Sequence, residues 1–187
     1  MPDHKVVLIT GALSDIGRGT ARAFAKAGCA IVLNPRRWPE QAQAFMDFLV
    51  RECNVPKAIA IQTDICSRIE VQALFEQAYQ SFGKLDVLVN NAGINRDQTF
   101  LEMSDDEWET VVSTILKGTF MCSQEFARRY SGSDGNIINI GAVTALKGRT
   151  KGANYCSARA GVFVLTKCMA LELAPCIRVN TVTTGTY

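Results

Sequence analysis

The stretch VVLITGALSDIG at residues 6–17 decides the fold of this 187-residue chain. It opens with an apolar, β-branched run that predicts a buried strand, followed by a glycine-containing turn that leads into a helical pattern. Gly11 can turn tightly without a Cβ clash, and Gly17 allows close packing of helix on strand. The N-terminus of that helix favours an anion such as a phosphate. Taken alone, the turn fits an ordinary strand-to-helix connection equally well.

The alternation of strand and helix continues along the whole chain. Apolar runs that predict six strands lie at residues 6–10, 30–33, 58–62, 86–90, 136–140 and 177–182. Helical patterns fall between them at 16–28, 39–53, 67–82, 105–129 and 153–174. Strands that are covered on both faces need no polar side, so this pattern predicts an α/β fold with a doubly wound, Rossmann-like parallel sheet. We expect one domain over residues 1–187.

Composition and charge narrow the classes of function. The net charge is +2 and the nearest approach to a basic cluster is Arg36 with Arg37, so no nucleic-acid binding is expected. Seven cysteines lie at scattered spacings without a CxxC pair, and His4 is the only histidine, so no metal site is expected. The chain shows neither a signal-peptide pattern nor an apolar run of membrane-spanning length. We therefore expect a cytoplasmic protein with reduced thiols and no membrane contact.

Further motifs follow the opening turn in a fixed order: Asp64, NNAG at 90–93, Tyr155 and IRVN at 177–180. Together with TGALSDIG at 10–17, they resemble the short-chain dehydrogenase/reductase (SDR) family over essentially the whole chain. NNAGINRD followed by MSDDEWETVV is most similar to 3-oxoacyl-(acyl carrier protein) and acetoacetyl-CoA reductases, which reduce a 3-keto thioester with NADPH. The resemblance implies an oxidoreductase that acts on a small carbonyl or 3-ketoacyl substrate.

The resemblance also implies a dinucleotide site. In it, Asp64 and Ile65 border the adenine, while Asn90, Ala92 and Gly93 line the cofactor beside the fourth strand; NNAG also fits a plain strand-end turn. The full set of implied cofactor-binding residues is Gly11, Ser14, Ile16, Gly17, Arg36, Asp64, Ile65, Asn90, Ala92 and Gly93.

The residues after the second strand bear on the choice of cofactor. The run NPRR at 34–37 offers no acid for a ribose 2′-hydroxyl, which NAD-binding folds usually place there. Guanidinium groups suit a 2′-phosphate, so Arg36 and Arg37 favour NADP over NAD. The alternative is a solvated charge pair in a loop.

Asp15 stands where the family's TGxxxGxG loop has its middle glycine. A carboxylate at a helix N-terminus can cap the amides itself and occupy the place of the anion. Its repulsion with a pyrophosphate would cost about 3 kcal/mol. The alternative is an N-cap turned toward solvent, which leaves room for weak cofactor binding.

The family's catalytic set of Asn, Ser, Tyr and Lys is only partly present. Tyr155 matches the tyrosine that donates a proton to the carbonyl oxygen. Arg159 replaces the lysine one helical turn later, and it keeps the positive charge but cannot relay protons. Without the family frame, these two residues fit a tyrosine on an amphipathic helix and a solvated arginine equally well.

The other two catalytic positions hold apolar residues. Ala142 replaces the serine, and loss of such a donor typically costs about 3 to 4 kcal/mol of transition-state stabilisation. Thr144 is the nearest hydroxyl. Ile115 replaces the asparagine and continues an apolar stripe that starts at Trp108, so it is predicted to pack in the core.

Thr184 and Gly185 stand at the family's Pro-Gly, and we expect the chain to lack the substrate loop and last strand that follow there. The resemblance implies that helices 105–129 and 153–174 pair across a homodimer or homotetramer. Three functions remain open: an impaired NADP-dependent reductase, a catalytically inactive relative that binds a dinucleotide or partner, and a fragment without function.

Overall fold

The structure, a computed structural model, describes residues 4–37, 41–53 and 55–185. Its strands are β1 (Val6–Thr10), β2 (Ala30–Asn34), β3 (Ala58–Ala60), β4 (Val87–Asn90), β5 (Gly135–Ala142) and β6 (Ile177–Thr184). All neighbouring strands are parallel, and the sheet order is β3-β2-β1-β4-β5-β6. The predicted doubly wound sheet of six strands is confirmed.

Seven α-helices flank the sheet in the described residues: α1 (Asp15–Lys26), α2 (Gln41–Glu52), α3 (Arg68–Phe82), α4 (Asp105–Val112), α5 (Gly118–Arg129), α6 (Thr144–Lys147) and α7 (Ala153–Leu173). Residues 39 and 40 of the second predicted helix lie outside the described residues. The helical stretch predicted over 105–129 is helical throughout, and a π-helical turn at Ser113–Lys117 within it separates α4 from α5. Such turns are rare and occur often at functional sites.

Strand β1 shows why the apolar runs are continuous. All of its residues are buried, and alternate side chains point to opposite faces. Leu8 packs into one apolar layer with Phe75 of α3, whereas Ile9 packs into the other layer with Phe45 of α2. Because helices cover both faces, both sides of the strand carry apolar side chains until its last residue, Thr10.

A crevice forms between β1 and β4, which are neighbours in the sheet although β2 and β3 lie between them in the chain. The connections that follow these two strands leave toward opposite faces, and open α/β sheets bind ligands at such a point. The loop after β1 and the loop after β4 therefore form the two walls of one cleft.

Some classes of site find no support in residues 4–37, 41–53 and 55–185. No helix there combines the length and the apolar character needed to cross a bilayer. The same ranges hold no group of three His, Cys, Asp or Glu side chains placed to bind a metal ion. The seven cysteines are all free thiols.

Candidate cofactor and active site

The loop after β1 requires its two outer glycines. Gly11 has φ +59°, and a Cβ there would lie 2.8 Å from the Cα of Ala92. A Cβ on Gly17 would lie 2.5 Å from the carbonyl oxygen of Gly11 and 2.8 Å from the Cα of Ala12. Both obstacles are backbone atoms, so a larger residue cannot be accommodated by turning a side chain aside. The turn therefore has the close packing that a phosphate loop needs.

Ser14, not Asp15, caps helix α1. The Gly17 N–H donates to Ser14 Oγ at 3.1 Å, and Ser14 Oγ donates to the Gly11 carbonyl oxygen at 3.0 Å. Asp15 is the first helical residue, is exposed and does not line the cleft. The idea that Asp15 caps the helix is therefore wrong, because the shorter side chain one position earlier already holds that place.

Asn91 fixes the loop after β1 to the end of β4. Its Nδ2 donates to the carbonyl oxygens of Thr10 and Gly11 at 3.0 and 2.9 Å and lies 3.1 Å from Ser14 Oγ. Thr10 Oγ1 accepts the backbone N–H groups of Asn91 and Ala92, both at 3.1 Å. The second asparagine of NNAG thus braces the two walls of the cleft against each other.

The first asparagine of NNAG turns away from the cleft. Asn90 Nδ2 donates to Ser123 Oγ and Asn139 Oδ1, both at 2.9 Å, and the side chain is buried. Asn139 in turn donates to Thr166 on α7 at 2.8 Å. Asn90 does not line the cleft, so the structure places it in a polar network that ties β4, β5, α5 and α7 together.

Three adjoining pockets lie at the carboxyl ends of the strands and share Gly11 and Ile94 in their linings, so we describe them as one cleft. The two ends of this cleft differ in composition. We call one end the Arg36 end; its further lining includes Leu13, Asn34, Pro35, Arg36, Arg37, Thr63, Asp64, Ile65, Arg96 and Thr114. We call the other the Tyr155 end; its further lining includes Ser14, Ile16, Asn91, Asn95, Ile140, Gly141, Tyr155, Arg159 and Thr184.

The Arg36 end is cationic. Arg36 Nη2 lies 3.4 Å from Asp64 Oδ2, which holds the guanidinium beside the cleft. Asp64 is itself fixed, because its Oδ1 accepts the Cys66 N–H at 2.9 Å. Arg37 and Arg96 line the same end, so three arginines and one acid are found among its described lining residues. This arrangement suits an anionic group such as a phosphate.

At the Tyr155 end, the tyrosine ring lies between two guanidinium groups. The Cζ of Arg149 is 5.4 Å and that of Arg159 is 5.3 Å from the ring centroid. Arg149 forms a two-pronged ion pair with Asp97 at 2.6 and 2.7 Å, which lowers the pKa of that carboxyl below its usual range. Arg159 is only 5% exposed. The alternative of a solvated arginine at this position is therefore wrong, because the side chain reaches under the cleft to the Ile140 carbonyl oxygen.

The two apolar replacements lie close to this end. Ile115 is 0% exposed and packs in the π-helical turn against Ala158 and Val162 of α7, which confirms its predicted core position. Thr144 does not line the cleft, and its hydroxyl is buried without a hydrogen-bond partner. Thr184, the register partner of Ala142 on β6, lines the Tyr155 end, and its hydroxyl donates to the Gly141 carbonyl oxygen at 3.5 Å.

The structure brings most of the expected site residues into one cleft. Ten of the twelve line it, whereas Gly17 lies beneath the loop and Asn90 points into the sheet. Sequence reasoning missed Ile94, although it directly follows NNAG, and also Arg96 a few residues later. It treated Thr184 only as a departure from the family, because the pairing of β5 with β6 that brings it into the cleft is not visible in a motif.

Known proteins share both the sequence and the fold. The family described as short chain dehydrogenase matches residues 5–187. A 3-oxoacyl-(acyl-carrier-protein) reductase of Synechocystis is 37% identical over 97% of this chain and 73% of its own length. The reductase of the same name from Staphylococcus aureus is 39% identical over 97% of this chain and 74% of its own length.

Solved structures agree with this. A short chain dehydrogenase from Mycobacterium smegmatis superposes with a TM-score of 0.91 at 31% identity, covering 97% of this chain and 77% of its own. An NAD+-bound xylitol dehydrogenase gives a TM-score of 0.85 at 29% identity, covering 97% of this chain and 70% of its own. The fold, the loop geometry and the sequence lead to one conclusion: the chain belongs to the short-chain dehydrogenase/reductase family, and within it to the oxidoreductases of the 3-oxoacyl-(acyl carrier protein) reductase type.

Proposed function

We propose that this chain is an NADP-dependent reductase of ketones or 3-ketoacyl compounds whose turnover is slow. The main support for this proposal is the cleft, which has the arginines of the Arg36 end in its lining at one end and Tyr155 at the other. A nicotinamide cofactor, when bound, supplies the hydride for such a reduction. The relatives named as 3-oxoacyl reductases support the substrate class.

The residues of the cleft fit a dinucleotide. Gly11 keeps the loop open to close approach, and the helix α1 N-terminus faces the same space. Arg36 and Arg37 would hold a 2′-phosphate through charge-assisted hydrogen bonds. Residues 34–37 at the end of β2 include no acid that could accept a hydrogen bond from a ribose 2′-hydroxyl, which favours NADP over NAD. Asp15 is not part of the cleft lining. Its negative charge therefore weakens the binding of an anion less than a carboxylate in direct contact with the anion would.

Tyr155 would donate the proton to the substrate oxygen. Arg159 and Arg149 flank its ring, and positive charge there stabilises the phenolate that remains after the proton leaves. Ala142 cannot donate a hydrogen bond to the same oxygen, and a missing donor of this kind costs about 3 kcal/mol at the transition state. The expected consequence is turnover roughly a hundredfold slower than with a donor present.

The test follows NADPH oxidation with acetoacetyl-CoA. We expect slow, substrate-dependent oxidation that disappears in Tyr155→Phe, since phenylalanine has no proton to give. Tyr79→Phe on α3 is the matched control, because this tyrosine packs against the apolar layer between α3 and the sheet, and the change removes the same hydroxyl at a position outside the cleft. Equal rates for the unchanged chain and Tyr155→Phe would exclude a working reductase.

Binding without turnover is the second candidate function. It is favoured by the burial of Ile115 at the asparagine position, where no side chain can hold a relay water. In that case the unchanged chain binds NADPH, but acetoacetyl-CoA causes no NADPH oxidation with the unchanged chain or with either tyrosine variant. Calorimetric titration of NADPH separates this outcome from a chain that binds nothing.

Self-association through α5 and α7 belongs to the same proposal. These helices border an open groove that contains apolar side chains of both, among them Phe120, Leu165 and Met169. Phe120 is 41% exposed and adjoins the other apolar side chains of this groove, and a contiguous apolar patch of this kind favours a partner surface. Sedimentation should show a dimer or tetramer that Phe120→Asp converts to a monomer.

A further inference from the structure

Asn154 is a buried asparagine to which the proposed reaction gives no role. It is the second residue of α7, directly before Tyr155, and it is 0% exposed. It is not part of the cleft lining. A buried amide group is costly unless its donors and its acceptor find partners, so those partners show what the side chain holds together.

Both ends of the Asn154 amide form hydrogen bonds. Nδ2 donates to the carbonyl oxygen of Arg96 at 2.8 Å and to that of Glu107 at 3.1 Å. Oδ1 accepts the backbone N–H of Tyr155 at 2.7 Å. Arg96 belongs to the loop after β4, and Glu107 belongs to α4. One side chain therefore joins a wall of the cleft, α4 and the first turn of α7.

The first turn of α7 has no side-chain cap at the usual position. Gly152 occupies the N-cap position and offers no side chain to accept a hydrogen bond. The first N–H groups of a helix have no partner within the helix itself. Asn154 satisfies one of these groups, and that group belongs to Tyr155. The backbone that carries the tyrosine ring is therefore fixed directly by Asn154.

Two other contacts join the loop after β4 to residues that precede α7. Asp97 forms its ion pair with Arg149, and the Gln98 N–H donates to the Lys151 carbonyl oxygen at 3.1 Å. Both contacts end before the helix begins at residue 153. Without the amide of Asn154 they would still hold the loop, but the first turn of α7 would lose its buried attachment to that loop.

We propose that Asn154 is a positioning residue that sets the place of Tyr155 relative to the loop after β4. This rests on the proposed function only in giving Tyr155 the role of proton donor. A proton donor must come within about 2.6–3.2 Å of the atom that it protonates. A misplacement of about 1 Å can cost about a hundredfold in rate. A side chain outside the cleft can therefore act on the reaction through Tyr155.

The first test compares Asn154→Leu, which has a similar size and no hydrogen-bonding groups, with Asn180→Leu at an exposed position on β6. With acetoacetyl-CoA, we expect kcat of Asn154→Leu to fall by about tenfold or more. NADPH affinity, measured by calorimetry, should stay within about twofold, because the other two contacts still hold the loop. Asn180→Leu should change neither quantity. An unchanged kcat, or NADPH affinity that falls as much as kcat, would overturn the proposal.

The second test follows Tyr155 without any turnover. In the chain labelled with 3-fluorotyrosine, the fluorine NMR signal of Tyr155 is the one that Tyr155→Phe removes. We expect one narrow signal in the unchanged chain and a broadened or split signal in Asn154→Leu, while the signals of Tyr79 and Tyr130 stay narrow. A single narrow Tyr155 signal in Asn154→Leu, together with a lower unfolding midpoint, makes Asn154 a structural residue and overturns the proposal.

The two readouts keep this proposal apart from the proposed function. If the unchanged chain oxidises no NADPH, the working reductase is excluded, and the fluorine signal alone decides on Asn154. If Asn154→Leu does not unfold cooperatively, Asn154→Ser takes its place, because the serine hydroxyl keeps one donor. We then expect smaller changes of the same kind, and a kcat and a Tyr155 signal equal to those of the unchanged chain would count against positioning.

Discussion

The two ends of the cleft differ in how their charges are balanced. At the Arg36 end, Arg36 is held by Asp64 at an exposed edge, where water screens both charges. At the Tyr155 end, Arg159 is buried, and no carboxylate among residues 4–37, 41–53 and 55–185 lies within ion-pair distance of it. The charges of the first end therefore cost little, whereas the lost hydration of Arg159 is offset by the Ile140 carbonyl oxygen and the ring of Tyr155.

The loop after β1 and the surroundings of Tyr155 also differ in how far their sequences depart from the family pattern. The loop after β1 departs from the family pattern at Asp15, which is exposed, while Gly11, Gly17 and Asn91 hold its closely packed backbone. Around Tyr155, three positions depart from the pattern, at 115, 142 and 159. The departures are therefore more numerous around Tyr155 than in the loop.

The largest expected effect comes from a substitution in the loop after β1. In Gly17→Ala the new methyl group meets the backbone of Gly11 and Ala12, so we expect a loss of about 3 kcal/mol in the free energy of unfolding, together with loss of NADPH binding. Gly19→Ala on the same helix has free space around its Cβ and should gain about 0.5 to 1 kcal/mol. Urea unfolding of both variants checks the pair, and equal stability would show that the loop is not closely packed.

Restoring the family's asparagine near the Tyr155 end should destabilise the chain. Ile115→Asn places an amide in the apolar cluster around Ala158 and Val162, at a cost of about 2 kcal/mol or more in unfolding free energy. Ile69→Asn makes the same change on an exposed part of α3 and should cost less than about 0.5 kcal/mol. A neutral Ile115→Asn would mean that a water or polar partner is available in the π-helical turn.

The charge difference at the Arg36 end can be sharpened with two cofactors. Arg36→Gln should weaken NADPH binding by about tenfold or more, the loss of a charge-assisted contact, and leave NADH binding nearly unchanged. Arg37→Gln is expected to act in the same direction with a smaller effect, since no carboxylate among residues 4–37, 41–53 and 55–185 pairs with it. Fluorescence titration of both cofactors measures this, and equal losses for NADPH and NADH would place Arg36 on the pyrophosphate instead.

The smallest effect concerns the neutralised cation of the Tyr155 end. Arg149 lowers the pKa of Asp97 below 3.8, so the pair contributes stability above that pH and loses it as the pH falls through the lowered value. The Asp97 side chain is 39% exposed, which keeps the contribution small. Asp97→Asn should therefore unfold at a slightly lower temperature than the unchanged chain near pH 6, and the gap should close as the pH falls through the lowered pKa of Asp97. A gap that persists at low pH would mean that the amide disturbs the loop for another reason.

The sheet and most of the cleft could be predicted because the signals are local. Strands covered on both faces leave unbroken apolar runs, and Gly11 and Gly17 stand at fixed offsets from the end of β1. The π-helical turn at 113–117 could not be predicted, since it adds one residue to a turn without changing the apolar pattern of α4 and α5.

The remaining errors concern the direction of side chains. Asn90 and Asn91 are adjacent, and only the packing of α5 and of the loop after β1 decides which one faces the cleft. Arg159 fits a solvated position on an amphipathic helix, but the space over Gly93 and the free carbonyl oxygen of Ile140 draw it inward. Both outcomes depend on residues distant in the chain, which no motif contains.

The three contacts of Asn91 also affect how quickly and tightly a ligand can bind. A loop that is already fixed to β4 loses its conformational entropy when the chain folds, and binding does not require that loss a second time. The affinity of the cleft for a nucleotide then reports its contacts almost directly. In Asn91→Ala part of the binding free energy would instead be spent on ordering residues 10–14, with the phosphate contacts themselves unchanged.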